Sequence, residues 1–210
     1  MAKTVSPAPS REALRHRPTQ RRSRERVERI LAVTTALLEA GGSDALRMSE
    51  VAQQAEVSIG SLYQYFPDKT ALIAELAERY NAEGRSCVEA AFAEVRRRDE
   101  VVPALHYVID SYYEMFVRYP ALRDIWGATQ ADKTLQKLDE ADIAAHAAIL
   151  SRTLRTLYPQ QPEKIVEDEA LLLMHLIAAA VRLALSVEPG RAVIILGKLK
   201  GMIAFSSAPE

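Results

Sequence analysis

The sequence has few of the residues that support disulfides, phosphate-binding loops or membrane spans. Cys87 is the only cysteine, which excludes an internal disulfide and a cysteine-rich metal site. Only 8 residues are glycine, and neither a GxSxG motif nor a glycine-rich phosphate loop occurs. The longest apolar stretch, 170–187, is interrupted by His175 and Arg182 and is too short and polar to span a membrane. Residues 1–20 contain no apolar run, so we expect no signal peptide and a cytoplasmic protein.

No motif for metal binding or catalysis is present. His106, His146 and His175 fall on three separate predicted helices and form no i, i+4 pair, so we predict no metal site and no cofactor. Cys87 has no histidine near it in the sequence. Catalytic residues that are dispersed along the chain would leave no motif, but no residue pattern here indicates a catalytic site. We therefore expect no enzymatic activity.

Charge is distributed unevenly along the chain. The net charge is −1, yet residues 1–30 contain nine Lys or Arg against three Glu and carry +6. The remaining residues therefore carry −7. A basic end of this kind favours contact with phosphate. For residues 1–18, which are rich in Pro, Ser and Arg, a solvated basic tail is the alternative, and we predict that residues 1–20 are disordered.

The spacing of apolar residues predicts an all-α fold. Ala, Leu, Glu and Arg are plentiful, and no strand-like alternation occurs. The predicted domains are the tail at 1–20, a three-helix DNA-binding domain at 21–68 and a larger helical ligand-binding and dimerisation domain at 69–210. The fourth helix should serve the cores of both domains and link them mechanically. The nine predicted helices are 21–40, 48–55, 59–65, 69–97, 101–118, 120–129, 131–157, 162–186 and 189–204.

The 22-residue stretch 49–70, SEVAQQAEVSIGSLYQYFPDKT, has the pattern of a helix-turn-helix. Val51, Ala55 and Leu62 recur at helical spacing and should face a core. Ser58 should cap the short helix that follows it. The outward face of that helix carries small and hydrogen-bonding groups without charge. Such a face is poor solvating surface but suits insertion into the major groove of DNA.

Within this stretch, VSIGSLYQYFPDKTALI resembles the DNA-binding signature of the tetracycline-repressor (TetR) family of transcriptional regulators, over about residues 21–73. The resemblance implies an all-helical homodimer with a DNA-binding end and a divergent ligand-binding end. From side-chain chemistry we expect Tyr63 and Ser58 to position the protein on phosphates, whereas Gln64, Ser61 and Ile59 read bases. The positions that the resemblance implies make most DNA contacts are Ile59, Gly60, Ser61, Tyr63, Gln64 and Tyr65.

Several cations are further candidates for phosphate contact. Lys69 begins a helix, where its charge opposes the macrodipole unless a phosphate binds there. Arg22, Arg24 and Arg26, near the start of the first helix, suggest the same role, and simple solvent exposure is the alternative for each.

Two residues depart from the family pattern. Arg47 stands where the second helix usually opens with threonine, so that helix loses a cap, although the arginine can gain a phosphate contact. Glu56 stands where the turn usually contains glycine. If the backbone there is left-handed, a non-glycine residue costs about 1–2 kcal/mol. We therefore expect backbone strain at Glu56.

The larger domain has polarisable and aromatic residues on its central helices, which together can line an apolar pocket with a few polar anchors. Ordinary core packing is the alternative for each. Trp126, the only tryptophan, is the strongest candidate because its indole N–H needs a partner when buried. The candidate ligand-binding residues are Tyr112, Met115, Phe116, Trp126, His146, Met174 and His175, with Tyr107 as a further aromatic of the same helices.

The last two helices are apolar on nearly all sides, which predicts a two-fold, four-helix homodimer interface at about residues 162–204. An ordinary intrachain core is the alternative. The predicted function is a repressor that binds a palindromic double-stranded DNA operator as a dimer and is released by an apolar or amphipathic small molecule. A helical small-molecule-binding or catalytic protein with a vestigial helix-turn-helix, and a ligand-independent DNA-binding dimer, remain as alternatives.

Overall fold

The computed structural model describes the backbone of residues 11–206 and the side chains of residues 21–203. Within this range the chain is all-α, with no strand, and one 3₁₀ turn at Arg98–Glu100. None of its helices is both long enough and apolar enough to cross a membrane. The nine helices are α1 Arg11–Ala45, α2 Met48–Gln54, α3 Ile59–Tyr65, α4 Lys69–Ala93, α5 Val101–Arg118, α6 Ala121–Ala131, α7 Lys133–Leu157, α8 Glu163–Leu185 and α9 Pro189–Ser206.

The first helix is longer than the sequence pattern indicates. Residues 1–10 of the expected disordered tail, 1–20, lie outside the described residues. Residues 11–20 are helical, because α1 begins at Arg11 instead of near Arg21. Glu12, Ala13 and Leu14 are good helix formers, which explains the earlier start. At its other end α1 is interrupted at Gly42, which adopts φ 74° and ψ 174°, a conformation open to glycine because it lacks a Cβ.

The chain divides into two compact units, Met1–Leu72 and Ile73–Glu210. In the first unit, α1 packs on α2 and α2 on α3. Thr34 is buried in this unit and donates from its hydroxyl to the carbonyl of Ile30 over 2.8 Å, which satisfies the only polar group of its side chain. The fully buried apolar side chains of the unit are Ile30, Leu38, Val51, Leu62 and Leu72.

The turn between α2 and α3 contains the one non-glycine residue with a positive φ among the described residues. Glu56 adopts φ 54°, which confirms the expected strain at that position. The turn is closed by backbone hydrogen bonds from Ala55 N to Val51 O at 2.9 Å and from Val57 N to Ala52 O at 3.0 Å. The exposed Glu56 side chain gains nothing that offsets the strain.

The second unit is a helical bundle in which α7 packs on α8, α8 on α9 and α6 on α7. Its core is aliphatic, and one face of α8 runs through it with Val166, Ala170, Ile177 and Val181. The other fully buried large side chains of the core are Leu105 and Ile109 on α5 and Leu150 on α7.

The fourth helix ends at Ala93, several residues before the predicted end near Arg97. The carboxylate of Glu100 accepts hydrogen bonds from the backbone N–H groups of Arg96 at 2.8 Å and Arg97 at 3.0 Å. These bonds satisfy two backbone donors outside a helix, so the chain turns there and passes through the 3₁₀ turn into α5.

Replacing Glu56 with glycine should stabilise the first unit by about 1 kcal/mol, because glycine adopts this φ without a Cβ clash. Amide hydrogen exchange of buried Leu62 should slow correspondingly. The matched control is Ala36→Gly at an exposed site inside α1, which should destabilise the same unit by about 1 kcal/mol. Faster exchange in both variants would contradict the strain at Glu56.

Candidate DNA-binding face and core cavity

The third helix presents an uncharged outer surface. Ile59 is 44% exposed and Tyr63 49% exposed, and Gln64 is exposed beside them. A Cβ added at Gly60 would meet nothing within 4 Å in the chain, so the backbone there is open to close approach. The helix buries only Leu62. The side chains of Ile59, Tyr63 and Gln64 are thus available for contacts outside the first unit.

Two hydrogen bonds join this helix to α1. The hydroxyls of Tyr65 and Ser23 lie 3.0 Å apart, and Arg26 donates to the hydroxyl of Ser61 over 3.3 Å. Ser58 caps the helix as predicted, accepting from the backbone N–H of Ser61 at 3.1 Å. Tyr65 and Ser61 therefore hold the helix in place as well as lying beside the candidate DNA-binding face, and Ser23 is a support that the sequence analysis missed.

The candidate phosphate-binding cations differ in their surroundings. Lys69 is half-buried and donates from Nζ to the carbonyl of Ser43 over 3.0 Å, near the end of α1. Asp68 caps α4 by accepting from the backbone N–H of Ala71 at 2.8 Å, so one of the N–H groups expected to bind phosphate with Lys69 already has a partner. Lys69 is thus a bridge to α1 in this structure, a contact that sequence separation conceals.

Three arginines lie at the surface with their side chains open to solvent. Arg22 and Arg24 are exposed on α1, and Arg47 is exposed at the N-cap of α2. Arg47 makes no side-chain capping hydrogen bond, which confirms the predicted loss of a cap. Their positions leave all three guanidinium groups available for an anion.

The second unit encloses a cavity lined by α4, α5, α6, α7 and α8. The total space between the lining atoms is about 970 Å³, and this volume includes space continuous with solvent. The part of it that the centre of a water molecule can reach is about 80 Å³. The smaller volume describes the interior, which has room for several waters. A drug-sized molecule would require lining side chains to move.

Six of the seven ligand-binding candidates line this cavity, and one does not. His175 lies on the exposed side of α8, since it follows Met174 by one residue and so points about 100° away around the helix. Tyr107 is likewise outside, 56% exposed on α5. The expectation that His175 and Tyr107 face the pocket is therefore wrong. The six lining candidates are Tyr112, Met115, Phe116, Trp126, His146 and Met174.

An ion pair crosses the cavity wall between α4 and α7. Arg85 Nη1 lies 2.5 Å from Asp142 Oδ1, and Asp142 Oδ2 lies 3.7 Å from His146 Nδ1. Burial raises the pKa of Asp142 to about 6, although Arg85 opposes the shift. Burial, helped by Arg85, lowers the pKa of His146 to about 4. At neutral pH the cavity wall therefore contains a carboxylate beside a neutral imidazole.

A second set of polar groups surrounds Trp126. The guanidinium of Arg182 lies 5.1 Å from the centre of the indole ring, a cation–π contact. Burial raises the pKa of Asp139, and the nearby Arg182 partly offsets that shift. Burial likewise raises the pKa of the Tyr112 hydroxyl. Among the described side chains, the buried nitrogens without a hydrogen-bond partner are Trp126 Nε1, His146 Nε2 and Arg182 Nη1.

The sequence analysis overlooked the acidic residues of this wall. Asp139, Asp142 and His146 are spaced i, i+3 and i+7, which places them on one face of α7. That spacing was a usable signal. Arg85 carried no such signal, because its partner lies 57 residues away along the chain.

Two models of known protein families match this chain, one in each unit for most of its length. The family model described as "Tetracyclin repressor-like, C-terminal domain" matches residues 99–205, just over half of the chain. The model described as "Bacterial regulatory proteins, tetR family" matches residues 30–76. The chain belongs to the tetracycline-repressor (TetR) family.

Individual TetR-family relatives match to different extents. The HTH-type transcriptional repressor KstR of Rhodococcus jostii (strain RHA1) is 43% identical over 67 residues, 30% of this chain and 32% of that protein. This chain thus matches about a third of the length of that curated relative. A TetR-family regulator from Streptomyces coelicolor is 25% identical with a TM-score of 0.63, covering 84% of this chain and 94% of its own.

A third relative was solved with a ligand. The transcriptional regulator FadR from Bacillus subtilis, in complex with stearoyl-CoA, has a TM-score of 0.63 and covers 83% of this chain and 96% of its own. It is only 14% identical, so this similarity concerns the fold alone.

The opposed pKa shifts of Asp142 and His146 predict a specific dependence of stability on pH in this TetR-family protein. The folded pKa of His146 is lowered, so its stabilisation is present above pH 6.5 and is lost as the pH falls through about 4. The folded pKa of Asp142 is raised, so its stabilisation is present below pH 3.8 and is lost as the pH rises through about 6. Between these values the two contributions oppose each other.

Asp142→Asn removes one of the two opposed contributions. Between pH 7 and pH 4, we expect the free energy of unfolding of this variant to fall by about 2 kcal/mol more than that of the wild type. Urea titrations followed by the emission of Trp126, the only tryptophan, measure this unit. Asp110→Asn, which removes a more exposed carboxylate paired with Lys200, is the control. Parallel pH profiles for Asp142→Asn and the wild type would contradict the prediction.

Proposed function

We propose that the protein is a transcriptional repressor that binds a palindromic operator as a homodimer and leaves it when a small molecule occupies the core cavity. The exposed, uncharged face of α3 carries this proposal, because it lies within the segment that matches the TetR-family DNA-binding model. The repressor name of the KstR relative supports the same function. No catalytic step is part of the proposal.

The side chains on α3 divide into two roles. Gln64 is exposed and can bond bidentately to adenine in the major groove, and Ile59 offers an apolar contact to a thymine methyl group. The Tyr63 hydroxyl and the backbone at Gly60 suit contacts to phosphate and sugar, which fix the register but carry no sequence information. Arg22, Arg24, Arg47 and Lys69 add cationic phosphate contacts, with Lys69 exchanging the Ser43 carbonyl for a phosphate.

The dimer is supported by apolar surface on the last two helices. Ile165, Leu172, Leu176 and Leu183 lie on one stripe of α8, since their spacing of 7, 4 and 7 residues returns to the same side of the helix. All four are exposed in the isolated chain. A second copy packed on this stripe would remove it from water and would present two recognition helices to the half-sites of an operator. The exposed large apolar residues of α9 are Val193, Ile194 and Met202.

The fourth helix provides a route from the cavity to the DNA-binding unit. It lines the cavity with Tyr80, Gly84 and Val88, and the same continuous helix begins at Lys69. A ligand weakens operator binding only by its differential affinity for the two conformations. A hundredfold loss of operator affinity requires about 2.7 kcal/mol of coupling. A protein with the same fold was solved in complex with stearoyl-CoA, which supports a small-molecule ligand.

Tyr63→Ala should weaken binding to the DNA that flanks the gene at least tenfold, through loss of a phosphate contact worth about 1.4 kcal/mol. Gel-shift titrations at fixed salt measure the change. Tyr107→Ala is the matched control, because Tyr107 is a similarly exposed tyrosine in the second unit, 56% against 49%. If the wild type shows no sequence-specific shift, or if both variants behave alike, the repressor function is wrong and a vestigial helix-turn-helix is favoured.

The double substitution Leu172→Glu and Leu176→Glu should convert the dimer to a monomer, because it places two charges in the middle of the apolar stripe. Sedimentation velocity over a range of concentrations measures the state. Val117→Glu, at a valine 54% exposed on α5, is the control and should leave the dimer intact. A double variant that still sediments as a dimer would exclude this stripe as the interface.

A further inference from the structure

A residue of the cavity wall, Trp126, has an unsatisfied hydrogen-bond donor, and Arg182 beside it has another. The buried, unpaired nitrogens of the described side chains include the indole N–H of Trp126 and a guanidinium nitrogen of Arg182, and neither group can accept a hydrogen bond. A buried donor without a partner costs about 1–3 kcal/mol of stability. Groups that remain unpaired in a cavity wall are therefore sites where a bound molecule gains affinity by supplying an acceptor.

Trp126 and Arg182 lie next to each other in the fold. Trp126 lines the cavity from α6, and the Arg182 guanidinium lies 5.1 Å from its ring centre. Because the guanidinium already lies over the indole, that face of the ring is not available to a cationic ligand. The indole N–H of Trp126 remains buried and without an acceptor.

The charges around the cavity disfavour an ionised ligand of either sign. Asp139 and Asp142 both belong to the lining, so an added carboxylate would lie close to two acidic groups. The raised pKa values of both residues show how poorly this wall accommodates negative charge. An ammonium group would in turn leave the Trp126 donor unpaired, and the guanidinium groups next to two lining residues, Arg182 at Trp126 and Arg85 at Asp142, oppose a further positive charge.

His146 offers a second polar contact that suits a neutral ligand. Its pKa is lowered to about 4, so the imidazole is uncharged at neutral pH. Nδ1 faces Asp142 Oδ2 at 3.7 Å, and Nε2 is buried and unpaired. Gly84 leaves room in front of Nε2, since even an added Cβ would lie 3.7 Å from it. A ligand hydroxyl or carbonyl can therefore pair with Nε2, according to the tautomer.

We infer that the molecule bound in this cavity is uncharged and largely apolar, and that it carries a carbonyl-type oxygen that accepts a hydrogen bond from Trp126 Nε1–H. The apolar body would lie against Met115, Phe116 and Ile177, and the oxygen would lie at the Trp126 end. Calling this molecule the effector rests on the proposed function, whereas its chemical class rests on the cavity alone.

A matched series of four probes tests the inference. They share one apolar body and differ in one group: 4-phenylcyclohexanone, phenylcyclohexane, 4-phenylcyclohexylamine and 4-phenylcyclohexanecarboxylate. Each is titrated into the full chain without DNA at pH 7, and binding is read from Trp126, whose emission is the only tryptophan signal. The ketone should bind at least tenfold more tightly than the other three. Tightest binding of the amine or the carboxylate, equal affinities, or no binding of the ketone would overturn the inference.

Two variants locate the contact. Trp126→Phe keeps an aromatic ring and removes the N–H, so by calorimetry the ketone should lose about tenfold in affinity while phenylcyclohexane is unchanged. Arg182→Met removes the neighbouring cation and keeps both the tryptophan signal and the indole N–H, so the preference for the ketone should survive it. Tyr107→Phe, outside the cavity, should change neither affinity. A ketone preference that survives Trp126→Phe, or one that is lost in Arg182→Met, would overturn the assigned contact.

The same preparations separate this inference from the repressor function. If the ketone preference is absent while sequence-specific operator binding persists, the chemical class is wrong and the regulator stands. If the ketone preference is present and operator binding is absent, the cavity assignment stands and the repressor function is wrong.

Discussion

The second unit depends on one helix that is apolar on two opposite faces. One face of α8, with Val166, Ala170 and Val181, is buried in the core, and Met174 and Ile177 on the same side reach the cavity wall. The opposite stripe, which includes Leu172 and Leu176, is exposed. At about 25 cal/mol per Å² of apolar surface, water strongly favours covering such a stripe. The described part of the chain has no further element that covers this stripe, and this makes the proposed homodimer a consequence of the same helix that shapes the cavity.

The cavity and the ion pair beside it both reflect polar side chains placed where a fully packed core would have apolar ones. A helical core that is fully packed with aliphatic side chains has no place for Asp142 or His146. Here they lie at the cavity wall, where Arg85 pairs with the carboxylate and the imidazole remains neutral. Perturbed ionisable groups in a cavity are typical of sites that bind ligands, because packing alone would favour their replacement by apolar residues. The polar wall is thus the strongest structural support for a ligand in this unit.

Features that depend on local spacing could be predicted from the sequence, and those that depend on distant pairs could not. The bounds of α3 and its Ser58 cap follow from neighbouring residues, whereas the positive φ of Glu56 was expected from the glycine of the family pattern; all three were confirmed. The cavity-lining aromatics were found because helical spacing identifies inward faces, but His175 was assigned one position too far around α8. The bonds from Lys69 to Ser43 and from Arg85 to Asp142 join residues that are distant in the sequence and meet only in the folded chain. No spacing pattern in the sequence predicts them.

The magnitudes at the two ends of α2 show what holds the helix-turn-helix together. Glu56 costs about 1–2 kcal/mol by its left-handed backbone, and a missing cap such as that at Arg47 costs about 1 kcal/mol. A seven-residue helix is unstable by itself even with ideal ends, because nucleation is unfavourable. Its stability must therefore come from tertiary burial of Val51 and Ala52 against the first unit. That burial must offset the combined local cost of about 2–3 kcal/mol.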